Sequence, residues 1–253
     1  MSVGLAIIGY GKMGRLIAQL APEYGFEVRA TFTSANISSL SVAALNGASI
    51  AVEFSEPAAA PENIRRLAAL GVDCVSGTTG WFAQLPAVRE FLQHANSSLV
   101  YGANFSIGVN VFFQIVAEAA ARFSRHVDYQ AWGWEIHHRA KKDAPSGTLL
   151  RLREEMLAAG FSGPMELSSS RAGAHPGTHE IGFDSPGDTI TLRHTARSRE
   201  GFARGALQAA RWLTRNKRTQ DKGTQDKGIF EFREILDELC GVDSAEVVEK
   251  SLS

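Results

Sequence analysis

The chain has 253 residues, 44% hydrophobic and 21% charged, enough for one large domain or two moderate ones with their own cores. With 26 basic and 27 acidic residues the net charge is −1, so composition marks no nucleic-acid or membrane surface and any anion binding must be local. Cys74 and Cys240 form no CxxC or disulfide framework, no apolar run reaches spanning length and no basic leader precedes Val3; together these set the expectation of a cytoplasmic protein.

Val3–Ile8 is a short apolar run that stops at Gly9-Tyr10-Gly11-Lys12-Met13-Gly14 and is followed by a helical pattern over Arg15–Leu20. Strand, GxGxxG and helix in that order predict a dinucleotide site: glycines allow a tight turn and close approach, and free amides at the helix start can meet a pyrophosphate. The bland reading, a glycine turn that only packs helix on strand, is the weaker one. Further strands are predicted at Glu27–Phe32, Ser49–Phe54, Val72–Ser76 and Ser98–Tyr101, with a helix over about 61–70 and another before the last strand. In a doubly wound sheet, ligands lie beyond the carboxyl ends of the strands, where GTTG (77–80) and GANFS (102–106) fall; taken alone these are also ordinary turn chemistry. An acidic residue at the end of the second strand would bind NAD's ribose, but the sequence there is Thr31-Phe32-Thr33-Ser34. Lys12 with the hydroxyls of Thr33 and Ser34 could instead accept the 2′-phosphate of NADP.

A helix leads away from about Asn110, and the pattern then becomes strand-rich. Strands are predicted at Tyr129–Ile136, Met165–Arg171, Thr178–Phe183 and Asp188–Thr195, with helices from about Ser146 to Ala159 and from Glu200 to Arg215. Few βαβ signals remain in this half, which predicts a mixed or antiparallel sheet. TQDKG occurs twice in tandem, at 219–223 and 224–228, and reads as a solvated loop lengthened by duplication. Ile229–Phe232 and the following REILDEL could return to the first domain.

Residues 135–150, EIHHRAKKDAPSGTLL, crowd proton donors ahead of a helix start. Adjacent His137 and His138 point to opposite faces of a strand, and His175 and His179, four apart, flank Pro and Gly, so no metal site is expected. An anion site fits better: Ser146, Gly147 and Thr148 open a helix whose amides and hydroxyls could hold a carboxylate or phosphate, with Lys141 and the histidines nearby. The plain alternative is a solvated loop.

The run E-x-H-H-x-x-K-x-D-A-P-S-G-T resembles the signature of the 4-hydroxy-tetrahydrodipicolinate (dihydrodipicolinate) reductase family of bacterial lysine biosynthesis. GTTGW, ANFSIGVN, R-x-G-x-x-x-G-x-H at 171–179 and HTARSREGFARGAL extend the similarity over nearly the whole chain. The glycine loop is one residue shorter than the GxxGxMG of many members, and the acidic residue after the second strand is absent; both bear on cofactor preference. The resemblance implies an α/β protein: a Rossmann-type dinucleotide-binding domain at 1–106 and 200–253, and an α+β substrate and oligomerisation domain with a mixed sheet at 107–199. It implies reduction of a small cyclic dicarboxylate by NADPH or NADH in a homotetramer. His137 would be the general acid/base, Lys141 its cationic partner and proton donor, and His138 a substrate contact. Ser146, Gly147 and Thr148 would hold a carboxylate. Gly77, Thr78 and Thr79, with Gly102, Ala103, Asn104 and Phe105, would line the nicotinamide. Three rivals differ in what they explain: a non-catalytic NADP sensor would lose the His-Lys-SGT set, which this chain retains; a reductase of another small imine or dicarboxylate shares every motif; and an amino-acid or sugar dehydrogenase leaves the second half unexplained.

Overall fold

The computed structural model describes residues 2–220 and 228–241. They divide into two compact units, one up to Ser106 and again from Glu200 onward, the other Ile107–Arg199.

The first unit is a six-stranded, wholly parallel sheet in the order β10-β5-β4-β3-β1-β2. Its strands are β1 (Val3–Ile8), β2 (Phe26–Phe32), β3 (Ile50–Glu53), β4 (Asp73–Ser76), β5 (Leu99–Tyr101) and β10 (Ile229–Glu231). Central strands of such a sheet are covered on both faces and need continuous apolar runs. Leu5–Ile8 and Ile50–Val52 are accordingly at most 1% exposed, whereas edge strand β2 alternates. Helices α1 (Lys12–Leu20), α3 (Ala60–Ala69), α4 (Leu85–Gln93) and α7 (Glu200–Gln220) belong to this unit, with the four-residue helices α2 (Val42–Leu45) and α8 (Leu236–Leu239). The buried face of α7 is nearly all alanine (Ala203, Ala206, Ala209, Ala210) with Leu207 and Leu213, which lets its backbone come close to its neighbours. This helix runs past the expected Arg215 and takes Thr219 and Gln220 of the repeat with it. Most of the repeat, 221–227, lies outside the described residues. Helix α2 had no sequence signal; Ser41 caps it by accepting from the Ala44 amide.

The second unit carries a four-stranded sheet in the order β7-β6-β8-β9. The strands are β6 (Gln130–His137), β7 (Met165–Arg171), β8 (Thr178–Asp184) and β9 (Thr189–Thr195); the helices are α5 (Ile107–Phe123) and α6 (Gly147–Ala158). β6 and β7 are parallel and joined through α6, so one βαβ unit is present where the sequence suggested little of that kind. β8 and β9 pair antiparallel, and the sheet is mixed. Phe112, Val116 and Ala120 of α5, with Leu149, Leu152 and Met156 of α6, cover one face, packing on Ala131, Ile181 and Phe183. The strict alternation in β6 follows: Ala131, Gly133, Glu135 and His137 are buried while the intervening residues are half-exposed. Two of those buried positions are polar, so the fold must supply them with partners.

Candidate functional site

In the first unit the strand order reverses at β1, between β2 and β3, and a cavity of ≈ 450 Å³ opens beyond their carboxyl ends. Gly9, Tyr10 and Gly11 form one wall, Thr33 and Ser34 another, Ser55, Glu56 and Ala59 a third, and Ile8, Phe32, Ile37 and Phe54 an apolar floor. The glycines are needed by backbone geometry. Gly9 has φ +92°, and a Cβ there would lie 2.1 Å from the Phe54 carbonyl; one on Gly14 would lie 2.2 Å from the Gly9 carbonyl. A Cβ on Gly11 would meet nothing within 4 Å, so the start of α1 is open to a ligand. Such a turn, with an uncapped nine-residue helix behind it, suits a dinucleotide pyrophosphate. Lys12 is exposed and Met13 half-buried.

Thr33 is less free than its sequence position suggested. Its amide donates to Asn36 Oδ1 at 2.6 Å, its hydroxyl lies 3.3 Å from the same oxygen, and Asn36 Nδ2 reaches back to the Thr31 carbonyl. Ser34 is exposed. Of the two other loops, GTTG is anchored by a carboxylate the sequence reading gave no role. Glu53 is fully buried and accepts from Ser76 Oγ at 2.7 Å and the Ser55 amide at 3.0 Å. The Ser55 amide also donates to Thr78 Oγ1 at 2.8 Å, so Thr78 is buried structure while Thr79 stays exposed; Gly77 abuts the Phe54 ring. In GANF, Ala103 is exposed and Asn104 half-buried, its Oδ1 accepting from the Ser106 amide. Gly102 is buried, and the Phe105 ring is turned into the core, 4.7 Å from Phe232 and 6.2 Å from Phe54. Its side chain packs the unit; a cofactor would meet Ala103 and Asn104.

In the second unit strand register gathers the chemistry. Glu135 and His137, two apart on β6, share the covered face; His179 of β8 is opposite Glu135, and Arg171 of β7 is opposite His137. The Glu135 carboxylate has no solvent exposure, and one oxygen accepts from the Ser146 amide, Ser169 Oγ and Arg171 Nη2, each at 2.9 Å. Burial alone would raise its pKa, but the hydrogen bonds from Ser146, Arg171 and Ser169 outweigh it and hold the carboxyl at about 2. The other oxygen lies 3.3 Å from His137 Nε2 and 3.4 Å from His179 Nε2, and the two imidazole nitrogens are 3.3 Å apart. Burial depresses both imidazoles; the Glu135 charge opposes this at each, while Lys141 and Arg171 add to it at His137. His179 falls to about 4, His137 serving as a second depressing charge. Glu135, His137 and His179 each bring one possible ligand atom within 4.8 Å of the others. Arg171 pairs with the same carboxylate, and the three groups form a compact buried cluster.

The helix start has also taken partners of its own. Ser146 caps α6 by accepting from the Leu149 amide at 3.2 Å and stands 3.1 Å from His179 Nε2, so its hydroxyl is committed inside the fold. Gly147 is exposed and Thr148 half-buried, and a Cβ on Gly147 would meet open space. Pro145, joined through a cis peptide, precedes the cap instead of entering the first turn. Lys141 Nζ grips both oxygens of Asp143, at 2.8 and 2.9 Å, and lowers that carboxyl, with help from the Gly147 backbone. Asp143 is thus held by the groups expected to hold a foreign carboxylate. His138, just past the strand, is half-buried. The sequence reading gave Glu135, Arg171 and His179 no role, although Glu135 lies two residues from His137 and the other two bound the R-x-G-x-x-x-G-x-H run at 171–179.

Comparison with known proteins gives one answer along the chain. Residues 3–105 match the family profile "Dihydrodipicolinate reductase, N-terminus" and residues 108–236 the profile "Dihydrodipicolinate reductase, C-terminus". A 4-hydroxy-tetrahydrodipicolinate reductase of Christiangramia forsetii is 31% identical over 252 residues, covering 94% of this chain and 99% of that one. One from Methanosarcina barkeri is 36% identical over 185 residues, covering 67% and 69%. The dipicolinate-bound dihydrodipicolinate reductase of Paenisporosarcina sp. TG-14 has the same fold, with a TM-score of 0.74 at 20% identity over 93% of this chain and all of that one.

Proposed function

This chain belongs to the dihydrodipicolinate reductase family, and from that premise we propose that it reduces 4-hydroxy-tetrahydrodipicolinate to tetrahydrodipicolinate with NADPH or NADH, in lysine and diaminopimelate biosynthesis. The residues of the first unit fit a nicotinamide dinucleotide: an open glycine turn at a helix start, an apolar-floored cavity and two small-polar loops. Gly9, Tyr10, Gly11, Met13 and Gly14 would hold the pyrophosphate, Lys12 and Ser34 the ribose end, and Thr79, Ala103 and Asn104 the nicotinamide. A bound nicotinamide would supply the hydride; the protein supplies orientation and protons.

The observation that carries the residue assignment is His137, an imidazole nearly buried between a fixed carboxylate and a cationic loop. Hydride delivery to an unsaturated ring leaves negative charge that an acid must quench, and an imidazole suits this near neutral pH. Burial keeps His137 neutral at rest. A dicarboxylate beside it would pull its pKa back up, so substrate itself favours the protonated acid. Lys141 steadies the developing charge once a substrate carboxylate competes with Asp143 for it. Gly147, Thr148 and His138 fix the substrate's register, while Ser146 builds the helix start that presents them. Cytoplasmic location and a homotetramer complete the reading; among the described residues no helix is long and apolar enough to cross a membrane.

The test is product identification. The substrate is generated in situ from pyruvate and aspartate semialdehyde by the condensing enzyme, and nicotinamide oxidation and product mass are followed with NADPH and with NADH. Tetrahydrodipicolinate formed in step with oxidation of either nucleotide is expected; no oxidation with either overturns the reading.

A further inference from the structure

The cluster beneath His137 carries more structure than an acid/base residue requires. Ser146 Oγ accepts the Leu149 N–H, lies 3.1 Å from His179 Nε2 and also hydrogen-bonds the Glu135 carboxylate. With His179 Nε2 as an acceptor, its proton would sit on Nδ1, a buried atom without a hydrogen-bond partner. The facing oxygen of Glu135 can only accept, and it stands 3.3 Å from His137 Nε2 and 3.4 Å from His179 Nε2. A hydrogen on His137 Nε2 would have two acceptors in reach, His179 Nε2 and the Glu135 carboxylate, each 3.3 Å away. The opposite edge of the His137 ring faces Gly177. With φ +140°, Gly177 is in a conformation side chains avoid, and a Cβ there would stand 2.9 Å from His137 Cε1 and 3.1 Å from Nδ1. Glycine leaves that edge clear.

We propose that Glu135 and His179 are positioning residues for His137: they engage its inward Nε2–H, fix the ring, and leave Nδ1 as the nitrogen that exchanges a proton with substrate. The role of His137 as acid/base rests on the proposed function; its tautomer does not. Arg171, Ser169 and the Ser146 backbone make the arrangement rigid by holding the other Glu135 oxygen, so the carboxylate cannot swing out to substrate. The charged and titratable groups facing His137 are Glu135 on its own strand, Lys141 from the following loop, Arg171 on β7 and His179 on β8. Glu135 is the one that favours the imidazolium. Without it, burial and the two cations act unopposed.

Two measurements decide the matter. Nitrogen-15 NMR of histidine-labelled wild-type protein near pH 7.5 should show neutral His137 as the Nε2–H tautomer and His179 as the Nδ1–H tautomer. In Glu135→Gln, kcat should fall roughly 10- to 100-fold, within the range that general acid catalysis spans, with KM nearly unchanged. Because the acid form must be protonated, the activity lost as pH rises should be lost at lower pH in this variant, and Glu135→Asp should partly restore the profile. An Nδ1–H tautomer at His137 in the wild type overturns the proposal, as does an unmoved pH limb in a folded Glu135→Gln protein. Stoichiometric transition metal in the purified protein would also overturn it, since ligation would take the same Nε2 atoms. Should the wild type show no turnover, the reduction reading fails while the tautomer still decides this one.

Discussion

In the first unit the crevice is shaped by backbone. Gly9 and Gly14 leave room where side chains would intrude, Gly11 stands open, and the start of α1 offers its amides. In the second unit the work falls to side chains: Glu135, His137, Arg171 and His179 come from three strands and meet through register, with Ser146 as both helix cap and hydrogen-bond partner. A backbone site needs one short local motif and tolerates charge changes around it. A side-chain site needs several elements in correct pairing, and shifting any one strand by a residue would turn its contribution to the other face. Substitutions in the second unit should therefore separate chemistry from binding, and those in the first should affect binding and stability together.

After His137 itself, the largest of these effects is expected at Lys141. Lys141→Ala should lower kcat by roughly 10²-fold, a typical contribution from a charge placed at the reacting group, with cofactor affinity measured by nicotinamide fluorescence left in place. Equal losses in both would blur the division between the units. Gly9→Ala comes next. Its Cβ would press on the Phe54 carbonyl from a strained φ, so a loss of about 2 kcal/mol in stability should accompany weaker nucleotide binding. Calorimetry and a binding titration on the same sample check this; unchanged values would mean the turn has slack that its geometry does not show.

Next is a pH effect confined to the second unit's cluster. A histidine lowered from 6.5 to about 4 binds its proton more weakly folded than unfolded. Its contribution is fully present above pH 6.5 and is lost as pH falls toward 4, on the order of 2 kcal/mol between pH 7 and pH 5. Glu135, held at about 2 against 4.5 for a free carboxyl, adds a further loss only below pH 4.5. Denaturant unfolding of wild type and His179→Phe at both pH values should show a flatter dependence in the variant; parallel curves would remove His179 as the cause. The smallest effect is at exposed Lys12, where Lys12→Ala should weaken NADPH several-fold, worth about 1 kcal/mol for a surface charge pair, and NADH little. Equal loss for both would take the 2′-phosphate away from Lys12.

The sequence carried the first site almost whole because its information is local. GYGKMG sits between an apolar run and a helical one, and Gly14 is required by Gly9 five positions before it, although Gly9 itself is required by distant Phe54. Glu53 escaped because nothing local says that a carboxylate ending an apolar strand will meet Ser76 on the next. The second site was half legible. His137, Lys141 and the Ser146 cap lie in one continuous run, but His179 could join them only through the pairing of β6 with β8, a partnership that its expected strand at Thr178–Phe183 did not specify. Phe105 shows the opposite error: a loop residue in a ligand-facing segment whose side chain is core. Likewise the parallel β6-α6-β7 connection went unread although all three elements were expected in place, because nothing local says which strands pair.

The most direct test of the account pairs two quantities in one protein. His137→Gln is compared with wild type in the coupled reductase assay while NADPH and NADH affinities are measured on the same preparations. The account predicts turnover reduced by roughly 10²- to 10⁴-fold, the span of general acid catalysis, with nucleotide affinities within about twofold of wild type. Wild-type turnover retained in the variant, or nucleotide binding lost with it, would contradict it.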